Sequence, residues 1–126
     1  MATDLSTFLD REMTEGEFTP YVEFSPEADA LTFYFRPDAD YSERLTDHIT
    51  LFRSIDDNSQ LVGCRVKGVR DVIDEAGNYI DVDHDGIKLS IIFLSVQGKM
   101  PKEEMREVVR ELGRAAKDSN LELTPA

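Results

Sequence analysis

The chain has 126 residues, of which 40% are hydrophobic and 32% charged, and its formal net charge is −12 at pH 7. This length predicts a single domain, residues 1–126, that can bury its own core. Because an acidic chain repels phosphate backbones and anionic headgroups, we expect neither nucleic acid nor a membrane as a partner.

Cysteine content and apolar runs indicate the compartment. Cys64 is the single cysteine, which excludes a disulfide within the chain and favours a reducing compartment. The N-terminal stretch has neither the basic start nor the long apolar run of a secretory signal. The longest apolar run, "IIFL", is too short to span a bilayer. We therefore expect a cytoplasmic protein.

The first predicted element is a helix over residues 3–16, "TDLSTFLDREMTEG". Thr3 is a suitable N-cap, and a set of apolar residues recurs at helical spacing. These residues are Leu5, Phe8, Leu9 and Met13. A helix this short is marginal alone, so its apolar face must pack against another element.

Two strands follow, "YVEF" and "ALTFYF", separated by the turn "SPEAD". The proline and the polar residues of "SPEAD" are typical of a tight turn. In the second strand Leu31, Phe33 and Phe35 alternate with Thr32 and Tyr34. This alternation predicts that the phenylalanines face the core and that Tyr34 lies on the opposite face.

The next pair of predicted strands forms a hairpin. "RPDADYSERLTD" reads as a polar connection, "HITLFRSI" as the third strand and "LVGCRVKGV" as the fourth. The five-residue turn "DDNSQ" between the last two is short enough to require antiparallel pairing.

The remaining sequence predicts one helical turn, two strands and a long helix. "VRDVIDEAG" suggests the helical turn, and "YIDVDHDGIKLSIIFLSV" reads as two strands around an Asp–Gly turn. Residues 101–118 predict a helix with an apolar stripe and acidic residues in its first turn. The stripe is Met105, Val108, Val109, Leu112 and Ala116.

These elements predict an α+β fold. We expect an antiparallel sheet of about five strands, with its core over residues 20–97 and the N- and C-terminal helices packed on one face. The other face is the candidate interaction surface, and its simplest occupant is a second copy of the chain. The residues assigned to this surface are Tyr34, Phe52, Ile92 and Leu94.

The string "DVDHDG" is a candidate metal site. Asp81, Asp83 and Asp85 at alternate positions before Gly86 copy the opening of a calcium-binding loop. Such a loop requires an acidic residue at its twelfth position, where this chain has Ile92. The alternative is a hairpin turn whose aspartates face water.

Two sets of residues could support catalysis. Cys64 with His48 or His84 would make a nucleophile and a base, but Cys64 lies mid-strand among apolar neighbours. Glu27 and Asp29 could form a carboxylate pair, although fixing the turn is the simpler role. Because neither set has the surroundings that catalysis requires, we expect a non-catalytic protein without a cofactor.

Residues 22–73 carry a family resemblance. The corner "SPEADALTFYF" and the later "SIDDNSQLVGCRVKGV" resemble a bacterial domain-of-unknown-function family of small antiparallel-sheet proteins. That family usually has a glycine in the second turn, where this chain has Asn58 and Ser59. The resemblance implies an antiparallel sheet and supplies no activity or cofactor. Some members look like partners in toxin–antitoxin gene pairs, which implies a protein-binding, antitoxin-like role.

The layout carries a second resemblance. A small acidic chain with terminal helices around strands is similar to the dimeric chaperones of type III secretion, which implies a chaperone-like role. The hypotheses at this point are a dimeric protein-binding module, a cation-binding protein, and an enzyme that uses Glu27 or Asp29.

Overall fold

The computed structural model describes residues 18–77 and 86–123. The helix predicted at residues 3–16 and the candidate ligands Asp81, Asp83 and Asp85 lie outside these ranges. The described elements, in chain order, are β1 Tyr21–Ser25, β2 Ala30–Tyr34, β3 Asp40–Arg44, β4 Ile49–Ser54, β5 Leu61–Lys67, α1 Val69–Gly77, β6 Ile87–Lys88, α2 Leu89–Gly98, α3 Glu103–Ser119 and β7 Glu122–Leu123. The predicted α+β fold with a five-stranded antiparallel sheet is confirmed.

The strand order of the sheet is β1-β2-β5-β4-β3. Every neighbouring pair is antiparallel, including the non-consecutive pair of β2 with β5. The predicted β4–β5 hairpin is confirmed, and β1 and β3 form the edges. The short strands β6 and β7 pair separately, which ties the end of α3 to the start of α2.

The helices cover one face of the sheet, which we call the inner face. A row across that face contains Val22, Phe33, Cys64 and Leu51. Phe33 lies 5.8 Å from Phe93 of α2, measured between ring centroids. Helix α3 contributes the buried residues Val109, Leu112 and Ala116 to the same hydrophobic cluster. The C-terminal helix therefore has the apolar stripe that its sequence predicts.

Two turns use left-handed backbone conformations. Asp29 is the last residue of the β1–β2 turn and has a φ of 52°. In the same turn, Ser25 Oγ accepts a 3.3 Å hydrogen bond from Ala28 N. In the β4–β5 turn, Asn58 and Ser59 have φ of 52° and 59°. These two residues thus adopt the conformation for which glycine is the usual choice.

A polar network supports the β4–β5 turn. The buried Ser54 hydroxyl donates to Asp38 Oδ2 at 2.9 Å and accepts from the backbone N–H groups of Asp56 and Asp57. Arg36 donates to the carboxylates of both Asp38 and Asp57. The Arg36 guanidinium holds the pKa of Asp38 below its usual range, and the Ser54 hydrogen bond acts in the same direction.

Three sequence predictions are wrong in detail. The polar stretch predicted as a connection contains the strand β3, whose residues are mostly exposed on both faces. The predicted single turn at Val69 is the nine-residue helix α1. The segment with "IIFL", predicted as a strand, forms helix α2, so Ile92 and Leu94 do not belong to the sheet. The buried residues of α2 explain the change, since Leu89, Ile92, Phe93 and Val96 recur at helical spacing.

Candidate interaction surface

The face of the sheet opposite the helices, the outer face, carries a row of aromatic residues. The Cα register runs across it from β1 to β3 through Tyr21, Tyr34, Gly63, Phe52 and Ser42. We call these five residues the aromatic row. They lie on the outer face because their chain neighbours Val22, Phe33 and Leu51 point to the inner face, and side chains alternate along a strand.

The rings of the aromatic row stack on one another. The centroids of Tyr34 and Phe52 are 5.1 Å apart with 5° between the ring planes. Tyr21 stacks on the other side of Tyr34 at 5.8 Å, and Phe18 meets Tyr21 edge-on at 6.4 Å. Four rings therefore form a continuous ladder across the sheet, with Tyr21 41% exposed. Their edges form an apolar strip that also presents phenol hydroxyl groups.

Gly63 allows this ladder to form. A Cβ at this position would overlap the carbonyl oxygen of Phe33 and lie 3.1 Å from Tyr34 Cα. The missing side chain leaves space into which the flanking rings of Tyr34 and Phe52 extend, so that aromatic side chains cover the glycine backbone. The stack therefore depends on the central strand having no side chain here.

Positive charge lies beside the aromatic row. The next row on the outer face contains Glu23, Thr32, Arg65, Thr50 and Arg44. Lys67 follows Arg65 by two residues on β5 and faces the same side. Within the described ranges, Arg44, Arg65 and Lys67 form no ion pair, whereas most other arginines do. The outer face thus carries three cationic side chains that have no ion-pair partner among the described residues, although the chain as a whole is strongly acidic.

Tyr34 has the most perturbed phenol of this surface. Burial, with a smaller contribution from the nearby Asp40 carboxylate, raises its pKa to about 12. The pKa of Tyr21 is also raised, chiefly by burial and further by the charge of Glu23. Both phenols are therefore neutral hydrogen-bond donors at physiological pH.

The structure separates the residues that were assigned to the interaction surface. Tyr34 and Phe52 lie together on the outer face, as the strand alternation predicts. Ile92 is fully buried in the hydrophobic cluster, and Leu94 is 66% exposed on helix α2. The assignment of Ile92 and Leu94 to the sheet face is wrong because their segment is a helix.

Asp29 has a structural partner. Its carboxylate accepts a 3.0 Å hydrogen bond from the backbone N–H of Arg70, and its carbonyl oxygen accepts from the N–H groups of Gly68 and Val69. These bonds satisfy the backbone N–H groups at the start of α1. Asp29 therefore caps this helix, although it lies in a turn about forty residues earlier in the chain. Glu27 is exposed on the same turn. This geometry supports the turn-fixing role for Asp29.

Cys64 is fully buried on β5 between Phe33 and Leu51. Burial raises the pKa of its thiol well above the usual range, which disfavours the nucleophilic thiolate. The side chain of His48 is exposed, so it does not share the environment of Cys64. The Cys64–His48 pair is therefore a poor candidate for covalent catalysis.

A cleft of about 420 Å³ is bounded by the start of β4, the end of β5, helix α1 and the α2–α3 connection. Its floor includes Ile49, Val66 and Val96, and its rim includes His48 and Lys99. Lys99 is paired with Glu75 at 3.2 Å. Neither Glu27 nor Asp29 lines this cleft, so the proposed carboxylate pair and the cleft do not form one site.

Two further findings concern residues 18–77 and 86–123 alone. Among them there is no group of three or more acidic, histidine or cysteine side chains that could hold a metal ion. No helix in these ranges combines the length and apolar character needed to cross a bilayer.

Comparisons with protein families, curated proteins and solved structures found no match for this chain. The resemblances of residues 22–73 and of the overall layout therefore stay predictions. The outer face must be interpreted from its own chemistry.

Sequence reasoning missed three members of the aromatic row, Tyr21, Gly63 and Ser42. Tyr21 precedes Val22, so alternation in "YVEF" already places Tyr21 on the face opposite the core. Gly63 also had a signal, since a glycine inside a strand marks a close approach. The strand order that brings Gly63 next to Tyr34 has no local signal, because β5 pairs with β2 across about thirty residues.

Proposed function

We propose that this protein is a non-catalytic protein-binding module that works as a homodimer in the cytoplasm. The observation that carries the proposal is the aromatic row on the outer face, where the rings of Tyr21, Tyr34 and Phe52 form an apolar strip outside the helix-covered core. A surface of this kind is suited to burial against another protein.

The chemistry of the outer face suits a protein partner. Tyrosine and arginine are enriched at protein interfaces because each combines a large contact area with hydrogen-bond donors. The outer face supplies Tyr21 and Tyr34 beside Arg65 and Arg44. The rings stack on one another, which occupies both faces of Tyr34 and disfavours the stacking of a nucleobase on it.

The proposed compartment rests on the cysteine. Cys64 is a free, buried thiol, and the sequence has no second cysteine with which it could form a disulfide. This pattern is typical of proteins from a reducing compartment.

Site-specific photocrosslinking in cells that express the protein tests the use of the outer face. A photoreactive phenylalanine analogue would replace Tyr21 on the outer face or, as the matched control, Leu94 on the helix layer. Both positions carry large exposed apolar side chains, with 41% and 66% of their surface accessible. We expect a protein adduct from position 21 and none from position 94.

Mass spectrometry would identify the adduct and separate a second copy of the chain from another protein. An adduct from position 94 alone, or equal labelling at both positions, would contradict the use of the outer face. A chain that stays monomeric at every concentration would contradict the homodimer.

A further inference from the structure

Strand β3 is an edge of the sheet with a charge pattern that complements itself. It pairs with β4 on one side only, and residues 41–44 are exposed. An edge strand leaves half of its backbone N–H and C=O groups without a sheet partner, so it can accept a further strand. The sequence of β3 is "DYSER", with Asp40 at one end, Arg44 at the other and Ser42 at the centre.

We propose that a second copy of the chain pairs along β3, antiparallel and centred on Ser42. In this register Asp40 lies opposite the partner's Arg44, and Arg44 lies opposite the partner's Asp40. Both charges lie on the outer face with Ser42. Oppositely charged residues directly across an antiparallel pair are stabilising, so the two-fold symmetric register gains two such pairs.

The other residues of β3 do not oppose this register. Tyr41 would lie opposite the partner's Glu43, whose charge is compensated by Arg53 at 2.6 Å. Arg44 forms no ion pair with the described residues of its own chain and is free to meet a new carboxylate. The Asp40 carboxylate lies near the Tyr34 phenol, and a carboxylate accepts several hydrogen bonds, so Asp40 can face this phenol and the partner's Arg44 together.

The other edge of the sheet does not share this property. Strand β1 is "YVEFS", and an antiparallel pair centred on its middle residue would place Glu23 opposite the partner's Glu23. Like charges directly opposite each other are destabilising. In the register centred on the middle residue, charge therefore favours self-association through β3 over self-association through β1.

This inference rests on the proposed function, because it names where the two copies of the homodimer join. Pairing along β3 would merge the two five-stranded sheets into one sheet of ten strands. The two aromatic rows would then lie end to end through Ser42 of each copy. A protein partner would meet one extended surface in place of two separate ones.

Charge exchange between two variants tests the register. Asp40→Arg places arginine opposite the partner's Arg44, and Arg44→Asp places aspartate opposite the partner's Asp40. We expect each variant alone to dimerise about tenfold more weakly than the wild type in sedimentation velocity. We expect an equimolar mixture of the two to recover a heterodimer, because every pair in the mixture is again attractive.

The control is Arg114→Asp, which reverses the charge of an exposed arginine on α3 and should leave dimerisation unchanged. Thermal melts would show whether each variant is folded, as expected for a half-buried and an exposed position on an edge strand. Wild-type dimerisation by both single variants, or a mixture no stronger than either variant alone, would overturn the β3 register. That result would leave the photocrosslinking at position 21 unaffected, so the two proposals fail separately.

Discussion

The rings of Tyr34 and Phe52 lie parallel across β5, with centroids 5.1 Å apart and 5° between their planes. They belong to strands that are not neighbours, and the residue between them is Gly63. Side chains of β2 and β4 therefore contact each other on the outer face across the strand between them, β5. This contact requires a residue without a side chain on β5, which is Gly63.

Gly63→Ala is expected to destabilise the protein by about 2–3 kcal/mol, because the added methyl group would overlap the Phe33 carbonyl oxygen and press on Tyr34. Urea denaturation would measure the loss. Gly113→Ala is the matched control. A Cβ there would lie 3.5 Å from Phe93 Cβ, an ordinary contact, within helix α3. It should stabilise the protein by about 0.5–1 kcal/mol. Equal effects of the two substitutions would contradict the role of Gly63.

Asp29→Ala is expected to lower the free energy of unfolding by about 1–2 kcal/mol, because the first turn of α1 loses its side-chain acceptor. Asp29→Asn should be close to wild type, since asparagine also caps helices and tolerates the left-handed backbone at this residue. Chemical denaturation of both variants would check this order. A loss of the same size in Glu27→Ala, on the exposed part of the turn, would show that the cap is not the cause.

Asp38 is expected to make stability depend on pH in the acid range. Its folded-state pKa is lowered by Arg36, so the unfolded chain binds the proton more tightly. The stabilisation is present above the unfolded pKa of aspartate, about 4, and is lost as the pH falls through the folded value. Asp38→Asn should therefore be less stable at neutral pH and show a shallower decline between neutral and acid pH.

Equilibrium unfolding at a series of pH values would measure this difference. Asp56→Asn is the control in the same turn, because within the described residues the Asp56 carboxylate forms no ion pair. A pH profile of Asp38→Asn parallel to that of the wild type would contradict the role of the Arg36–Asp38 pair.

Calcium is expected to leave the melting temperature unchanged at millimolar concentration. The loop that begins at Asp81 would need a carboxylate at Ile92, and Ile92 is fully buried in helix α2. Differential scanning fluorimetry with calcium and then with magnesium would check this. A saturable shift that disappears in Asp83→Asn would instead support a cation site at Asp81, Asp83 and Asp85.

The sequence predicts best those elements in which one face is buried and the other is not. Strands β2 and β4 alternate clearly, because Leu31, Phe33 and Leu51 face the helices while Thr32 and Thr50 do not. Helix α3 shows its apolar stripe for the same reason. Where one face meets the core and the other meets water, the period of the sequence reports the type of element.

Two elements that were predicted wrongly lack a decisive sequence pattern. Strand β3 is exposed on both faces, so its five residues show no alternation and read as a loop. Helix α2 contains four consecutive apolar residues, and the β-branched Ile91 and Ile92 favour a strand over a helix in isolation. The helical spacing of Leu89, Ile92, Phe93 and Val96 was present, but a short apolar run supports both interpretations.

The order of the sheet has a consequence during synthesis on the ribosome. The central strand β5 is made after β1, β2, β3 and β4, yet it lies between the two hairpins that those strands form. Until residues 61–67 emerge, β2 and β4 each have an edge whose backbone N–H and C=O groups are unpaired. The nascent chain can therefore associate with other chains through these two edges. Completion of the sheet is thus a late, long-range closure that slows folding and makes the unfinished polypeptide vulnerable to aggregation.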